Sequence, residues 1–185
     1  MSGKLESTVN VATLVTCLAV LGTIGQQAFV SKQGQLQPPK VFREGDRLPT
    51  FEGLDLRHSE ATLVMVLRHD CRFCAASVPF YQTLRSATSR LTGGATQIAL
   101  LTSDDADTAA QFVHNSQVEF DQIVSLRPEQ YRDLRIPGTP TLILVDSSGQ
   151  IRHVWVGLLD QAHQAEVRTA LATAATYRDR RAISE

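Results

Sequence analysis

The chain has 185 residues, 43% of them apolar, and a net charge of −1 from 18 basic and 19 acidic side chains. That length suits one domain of ordinary size plus a tail, and the evenly mixed charge lacks the basic footprint of a nucleic-acid binder. Three cysteines exclude a disulfide-built scaffold and allow at most one intrachain bridge, for which Cys71 and Cys74 are the obvious pair.

In chain order the first feature is a segment without charge, Ser7 to Ser31. Val9 to Val30 is long enough to cross a bilayer, which needs ~20 residues. No convincing small-x-small cleavage site follows its apolar core, Val11 to Ile24. Residues 1–30 are therefore expected to form an N-terminal membrane anchor or uncleaved signal, favoured over a cleaved signal peptide. Lys4 and Lys32 flank the segment and bias its orientation little. Cys17 is preceded by Thr16 rather than a small lipidation-type residue, so it reads as a small membrane residue. Residues 31–40 form a polar linker, stiffened by Pro38 and Pro39. The globular domain is expected over 41–178 and a solvated tail over 179–185.

Val41 to Ala61 reads as an N-terminal extension or small hairpin. Thr62 to His69 is a continuous β-branched apolar run, the pattern of a strand buried on both faces. Ala75 to Leu91 has helical spacing, with Val78, Tyr81, Leu84 and Leu91 on one face. Thr96 to Ser103 is a second buried strand. Asp104 and Asp105 can cap a helix to about Asn115, with Ala109, Phe112 and Val113 inward. "FDQIVSL" is a third strand, and Pro128 opens a short helix. Two apolar runs around Asp146-Ser147-Ser148-Gly149 read as a hairpin, and a last helix spans about Asp160 to Tyr177. Strands alternating with helices imply a parallel sheet with covering helices. The terminal hairpin makes it a mixed-sheet α/β domain.

The chemistry concentrates at Cys71-Arg72-Phe73-Cys74. The pair follows a buried strand and opens a helix. A helix N-terminus has unpaired N–H groups and a positive dipole end, which favour a thiolate. Arg68, His69 and Arg72 can add positive potential, while Asp70 opposes it. Cys74 is one turn on, on the same side of the helix, and can resolve a mixed disulfide formed at Cys71. Thr139-Pro140 stands directly before a strand, where proline marks a strand start or a cis turn. A cis bond would set the Thr139 backbone beside the cysteines, ready to pair with an extended substrate. Phe73 reads as exposed and able to touch substrate; Trp155 and Tyr131 read as packing residues.

Together, Cys71-x-x-Cys74, Pro79 five residues further on, Thr139-Pro140 and Gly157 resemble the thioredoxin superfamily over about Val41 to Tyr177. With "GDRLPTFEGLDL" and the apolar N-terminus, the chain is similar to the membrane-anchored redoxin and TlpA-like branch. The resemblance implies a thioredoxin fold, a mixed central sheet flanked by helices, carried on an N-terminal transmembrane helix. It implies a dithiol–disulfide oxidoreductase acting on protein thiols and disulfides in the bacterial periplasm or its equivalent, with Cys71 as nucleophile, Cys74 as resolving thiol and no cofactor. Substrate contacts would come from Thr139, Pro140, Arg72 and Phe73.

The chain departs from its relatives in four places. Asp70 replaces a Trp before the first cysteine, and Arg72-Phe73 replaces Gly-Pro. Met65 and Ser77 stand where relatives carry acids, so the resemblance assigns no proton acceptor to Cys74. His69 is the candidate at hand, although a histidine at a helix start reads first as a surface residue. Other chemistries fit less well. Zinc would need two more ligands, and His58 and His69 lack paired ligand spacing. A one-cysteine peroxidase would want a Thr upstream of Cys71, where Arg68, His69 and Asp70 stand. The alternative from another class is a thioredoxin-fold binding protein, a metal or thiol chaperone that holds ligand through both sulfurs without turnover.

Overall fold

The structure, a computed structural model, describes residues 41–92 and 95–182. The expected anchor, the linker and residues 183–185 lie outside the described residues. No helix among the described residues is long and apolar enough to cross a membrane.

Five strands form one sheet in the order β3-β2-β1-β4-β5. The strands are β1 (Ala61–Val66), β2 (Thr96–Thr102), β3 (Gln122–Ser125), β4 (Thr141–Asp146) and β5 (Ile151–Val156). β1 pairs parallel with β2, from Ala61 opposite Thr96 to Val66 opposite Leu101, and β2 pairs parallel with β3. β4 runs antiparallel to β1, and β5 antiparallel to β4. The mixed sheet expected from the order of elements is the one observed. Every residue of β1 is buried, which accounts for an apolar run without alternation: both faces of the central strand are covered.

The side chains of β1 alternate between two cores. Leu63, Met65 and Leu67 pack with Tyr81 and Leu84 of helix α1 (Arg72–Thr92), Val167 and Leu171 of helix α4 (Gln161–Ala182), and Phe112 and Val113 of helix α2 (Ala106–Ser116). Val64 and Val66 point the other way, onto Phe42, Leu48, Phe51 and Leu134, the last directly after helix α3 (Pro128–Asp133). Two successive parallel crossovers in one direction put α1 and α2 on the same face. The second face is covered by α3 and the N-terminal extension. Truncating a fully buried side chain such as Leu63 or Leu84 should cost ~2–5 kcal/mol.

The local signals act as expected. Asp105 is the N-cap of α2, its carboxylate accepting the Thr108 N–H at 2.9 Å. Pro128 sits in the first turn of α3, where a missing N–H costs nothing. In the β4–β5 turn Gly149 takes a positive φ of 81°, and Asp146 accepts the backbone N–H groups of Ser148 and Gln150 at 2.9 and 3.0 Å.

α1 starts at Arg72, so Cys71 opens the helix as expected. One boundary differs from expectation. α4 continues past Tyr177 to Ala182, since residues 178–182 contain no glycine or proline to stop it, and the expected tail is in part helix. The extension is not a hairpin. It lies along the β4–β5 turn, with Leu48 N–H donating to Gly149 C=O at 2.9 Å and Ile151 N–H to Asp46 C=O at 2.8 Å.

Candidate functional site

β1 and β2 end side by side, so the loops that follow them meet. The Leu67 N–H still donates to Leu101 C=O, at 3.2 Å. Beyond that the chain turns, with Cys71 N–H donating to Arg68 C=O at 3.3 Å. The first helical bond of α1 runs from Ala75 N–H to Cys71 C=O at 3.1 Å. Cys71 is thus the N-cap, the position whose side chain normally accepts a hydrogen bond from the first turn. Its sulfur takes that role: the Cys74 N–H donates to Cys71 Sγ at 3.1 Å. No acidic residue stands in the first turn of α1, so the positive end of the helix dipole acts on this sulfur without an opposing charge on that turn.

Cys71 and Cys74 form a disulfide with their Cα atoms 5.2 Å apart. The two sulfurs are unequal. Cys71 is half-buried, whereas Cys74 has no exposed surface and packs in the core beneath α1. The Thr139–Pro140 bond is cis, and Thr139 C=O lies 3.4 Å from Cys71 Sγ. In the disulfide this is a contact only; in the dithiol the same carbonyl can accept the Cys71 S–H. The proline loop is tied on both sides. Thr141 Oγ1 donates to Gly138 C=O at 2.7 Å, and Gly157 N–H to Pro140 C=O at 2.7 Å. Gly157 sits at a φ of +83°, a conformation glycine adopts without strain.

The structure therefore brings together Cys71, Cys74, Thr139 and Pro140, with Arg72 and Phe73 on the adjoining first helical turn. Phe73 is 42% exposed, and the Arg72 guanidinium lies 4.5 Å over its ring. The charges before Cys71 are arranged less simply than their order suggests. Arg68 does not act on the sulfur as a free cation, because it pairs with Asp70 at 2.7 Å. His69 is held by Asp104, a residue the sequence marks only as part of a helix cap. Asp104 Oδ2 accepts the His69 N–H at 2.8 Å, and Oδ1 lies 2.9 Å from His69 Nδ1. This hydrogen bond raises His69 above the ordinary imidazole value; the nearby negative charges add to it, while partial burial and Arg68 oppose it. Burial alone would raise Asp104, but the hydrogen bonds from His69 and Thr102 outweigh it and hold the carboxyl below the usual range. The available signal for Asp104 is its place just past the end of a strand parallel to the one that precedes the cysteines.

Beneath Cys74 stands no acid, as Met65 and Ser77 lead one to expect. Met65 and Tyr81 fill the core there, and Ser77 Oγ donates to Phe73 C=O at 2.8 Å. Burial pushes the Tyr81 hydroxyl up to about 12, against a lowering hydrogen bond with Ser77. The core cluster that holds Cys74 contains no carboxylate and no histidine. The two histidines weighed as metal ligands are each engaged by a carboxylate: His58 by Asp55 at 2.9 Å, and His69 by Asp104. No group of three or more His, Cys, Asp or Glu among the described residues could hold a metal ion. Trp155 is a core residue stacked on His153, and Tyr131 is half-buried beside the second core.

No protein-family profile and no curated protein sequence matches the chain. Solved structures do. A Chlorobium tepidum protein assigned as a thiol:disulfide interchange protein, DsbE, superposes with a TM-score of 0.60 at 18% identity, over 72% of this chain and 99% of that one. A thiol:disulfide interchange protein from a Bacteroides species gives 0.56 at 19% identity, over 69% and 90% of the two chains. The thioredoxin domain of a thiol-disulfide oxidoreductase from Bacteroides vulgatus gives 0.55 at 18%, over 71% and 99%. Its structural neighbours are thus thiol:disulfide interchange proteins, and the chain has the thioredoxin fold.

Proposed function

We propose that the chain is a thiol–disulfide oxidoreductase that exchanges disulfides with protein substrates through Cys71 and Cys74. The observation that carries this reading is the inequality of the two sulfurs: one half-exposed at a helix N-terminus, the other fully buried within bonding distance of it. In the reducing direction the Cys71 thiolate attacks one sulfur of a substrate disulfide and expels the other as a thiolate. The Cys74 thiolate then attacks Cys71 Sγ, closing the internal disulfide and releasing the second substrate thiolate. Two electrons pass to the substrate, and the reverse sequence oxidises a substrate dithiol. The Cys74 N–H and the helix dipole stabilise the Cys71 thiolate that attacks and later leaves. Thr139 supplies a backbone edge beside the sulfur. Pro140, Arg72 and Phe73 complete the substrate-facing rim.

Localisation belongs to the same reading. The uncharged Val9–Val30 segment would tether the domain to a membrane on the extracytoplasmic side, a compartment where disulfides persist. Removing residues 1–30 should release the protein from the membrane fraction.

The test of the chemistry is a trap. Cys74→Ser leaves the attacking sulfur and removes the resolving one, so the variant should accumulate mixed disulfides at Cys71 with proteins of its own compartment. If it traps nothing while the wild-type dithiol binds a soft metal ion tightly, the chain is a binding protein and not an oxidoreductase.

A further inference from the structure

The loop that presents Cys71 is fastened from one side by a single carboxylate. Asp104 follows β2, and its side chain is only 7% exposed. Both of its oxygens are committed to His69, one to the backbone N–H and one to the ring. Its own N–H is fixed by Thr102 Oγ1 at 3.1 Å. The carboxylate therefore bridges the two loops at the C-terminal ends of neighbouring parallel strands, and its partner stands two residues before the half-exposed sulfur. Neighbouring Asp105 plays a different part, being turned away to cap α2 through Thr108.

We propose that Asp104 is a positioning residue for the dithiol, clamping the Cys71 loop through His69 and setting, with that histidine, the charge beside the nucleophile. The inference rests on the oxidoreductase reading and deepens it. The charged groups acting on His69 are Arg68 and Asp70 on its own loop and Asp104 on the facing loop, and Tyr131 on α3 feels the same three; Arg72 follows in the chain at the opening of α1, and Asp105 is committed to its cap. Arg68 and Asp70 offset each other. The remaining balance is between Asp104 and His69. With His69 protonated the pair is neutral; with His69 neutral, the pair carries one negative charge near the sulfur and disfavours its thiolate.

The two members of the pair therefore act on Cys71 with opposite signs. Asp104→Asn removes a negative charge while keeping the shape and an acceptor for the His69 N–H. It should lower the thiol pKa of Cys71. His69→Gln leaves Asp104 uncompensated and should raise it. Each shift should change the thiolate-to-thiol ratio ~threefold or more, the scale of one unit charge acting through partly solvated protein. A merely structural clamp would not give opposite signs, since both variants would loosen the same loop.

The experiment uses the full chain. The Cys71 titration is followed by thiolate absorbance in wild type, Asp104→Asn and His69→Gln. The His69 ring is titrated by NMR in the oxidised and reduced wild type. Coupling is reciprocal, so the His69 midpoint should rise on reduction, when a thiolate appears beside it. This second measurement stands even if a variant fails to fold. Opposite shifts of Cys71 together with a higher His69 midpoint on reduction support the role. Cys71 shifts of the same sign or of no size, or a His69 midpoint unmoved by reduction, overturn it. Exchange of a small model disulfide by the wild type is measured alongside. Its absence sinks the oxidoreductase reading, whereas exchange with uncoupled titrations sinks only the role of Asp104.

Discussion

The two ends of the sheet are each held by an aspartate, and the partners differ. At the end where β4 meets β5, Asp146 accepts two backbone N–H groups and the Ser148 hydroxyl, and pairs with Arg152 at 2.6 Å. All these donors keep their protons at any pH near neutral. At the opposite end, Asp104 takes the His69 backbone and ring. One of those donors, the imidazolium, loses its charge within the physiological range. Exposure follows the same division. Of the large apolar residues exposed among the described residues, Phe73, Val156 and Leu158 lie at the redox end, Ile123 lies on strand β3, and none lies in the Asp146 turn. The same acid type makes a permanent fastening at one end and a conditional one at the other. The conditional end carries the half-exposed sulfur.

The largest expected effect separates the ends by activity. Cys71→Ser should lower the disulfide-exchange rate ~10³-fold or more, as removal of a nucleophile does, while the β4–β5 turn stays intact. Residual exchange within tenfold of wild type would mean that Cys74, despite its burial, attacks the substrate disulfide itself. Asp146→Ala is the complementary change. It strips the turn of its shared acceptor and should lower the unfolding free energy by about 2 kcal/mol, read from denaturant midpoints. The exchange rate of the folded fraction should hold. A loss of exchange with stability preserved would show that the two ends are coupled through β4.

Much of this division is readable from residue order, and part of it is not. The continuous apolar runs at 62–69 and 96–103 mark strands covered on both faces, and the turn chemistry of Asp146 and Gly149 marks a hairpin. The cysteine spacing and Thr139-Pro140 locate the redox end, because those residue types carry their geometry with them. Asp104 and His69 do not. They are 35 residues apart, and they meet only because β1 and β2 pair in a register that brings Leu67 to Leu101. Arg68 is likewise a cation beside a thiol in the sequence but an ion-pair partner of Asp70 in the fold. Helix ends are set by weak local preferences, which explains the longer α4. The absence of an acid beneath Cys74 is legible in Met65 and Ser77, and Met65 and Tyr81 fill that core in the fold.

A pH titration of stability sharpens the comparison further. Asp146 and Asp104 have depressed folded values. What they contribute is present above the unfolded value of ~3.9 and is lost as pH falls through the folded one. His69 has a raised folded value. Its contribution is complete below the unfolded value of ~6.5 and is lost as pH rises through the folded one. Because Asp104 and His69 share one interaction, that contribution is counted once. Wild-type stability should therefore decline on both sides of a plateau. His69→Gln should remove the neutral-side decline and keep most of the acid side, whereas Asp146→Asn should shrink the acid-side decline, to which Asp104 and other depressed aspartates still contribute, and leave the neutral side unchanged. Two variants that flatten the same side would break the assignment of one aspartate to each end.

The smallest expected effect concerns the exposed apolar surface that only the redox end carries. Phe73 packs against no core; its ring is half in solvent with Arg72 over one face. Phe73→Ala should therefore change unfolding free energy by no more than ~0.5 kcal/mol, as surface substitutions do. If the ring receives substrate, kcat/KM for a disulfide-bonded protein should fall ~fivefold, the scale of one aromatic contact of ~1 kcal/mol at an interface. That loss should sit mainly in KM, because the contact is made equally in the bound and transition states. A fall in kcat at constant KM would instead place Phe73 in the chemistry, through the Arg72 charge it holds beside Cys71. An unchanged kcat/KM would leave recognition to the Thr139 backbone and to Val156 and Leu158 on the far side of the proline loop.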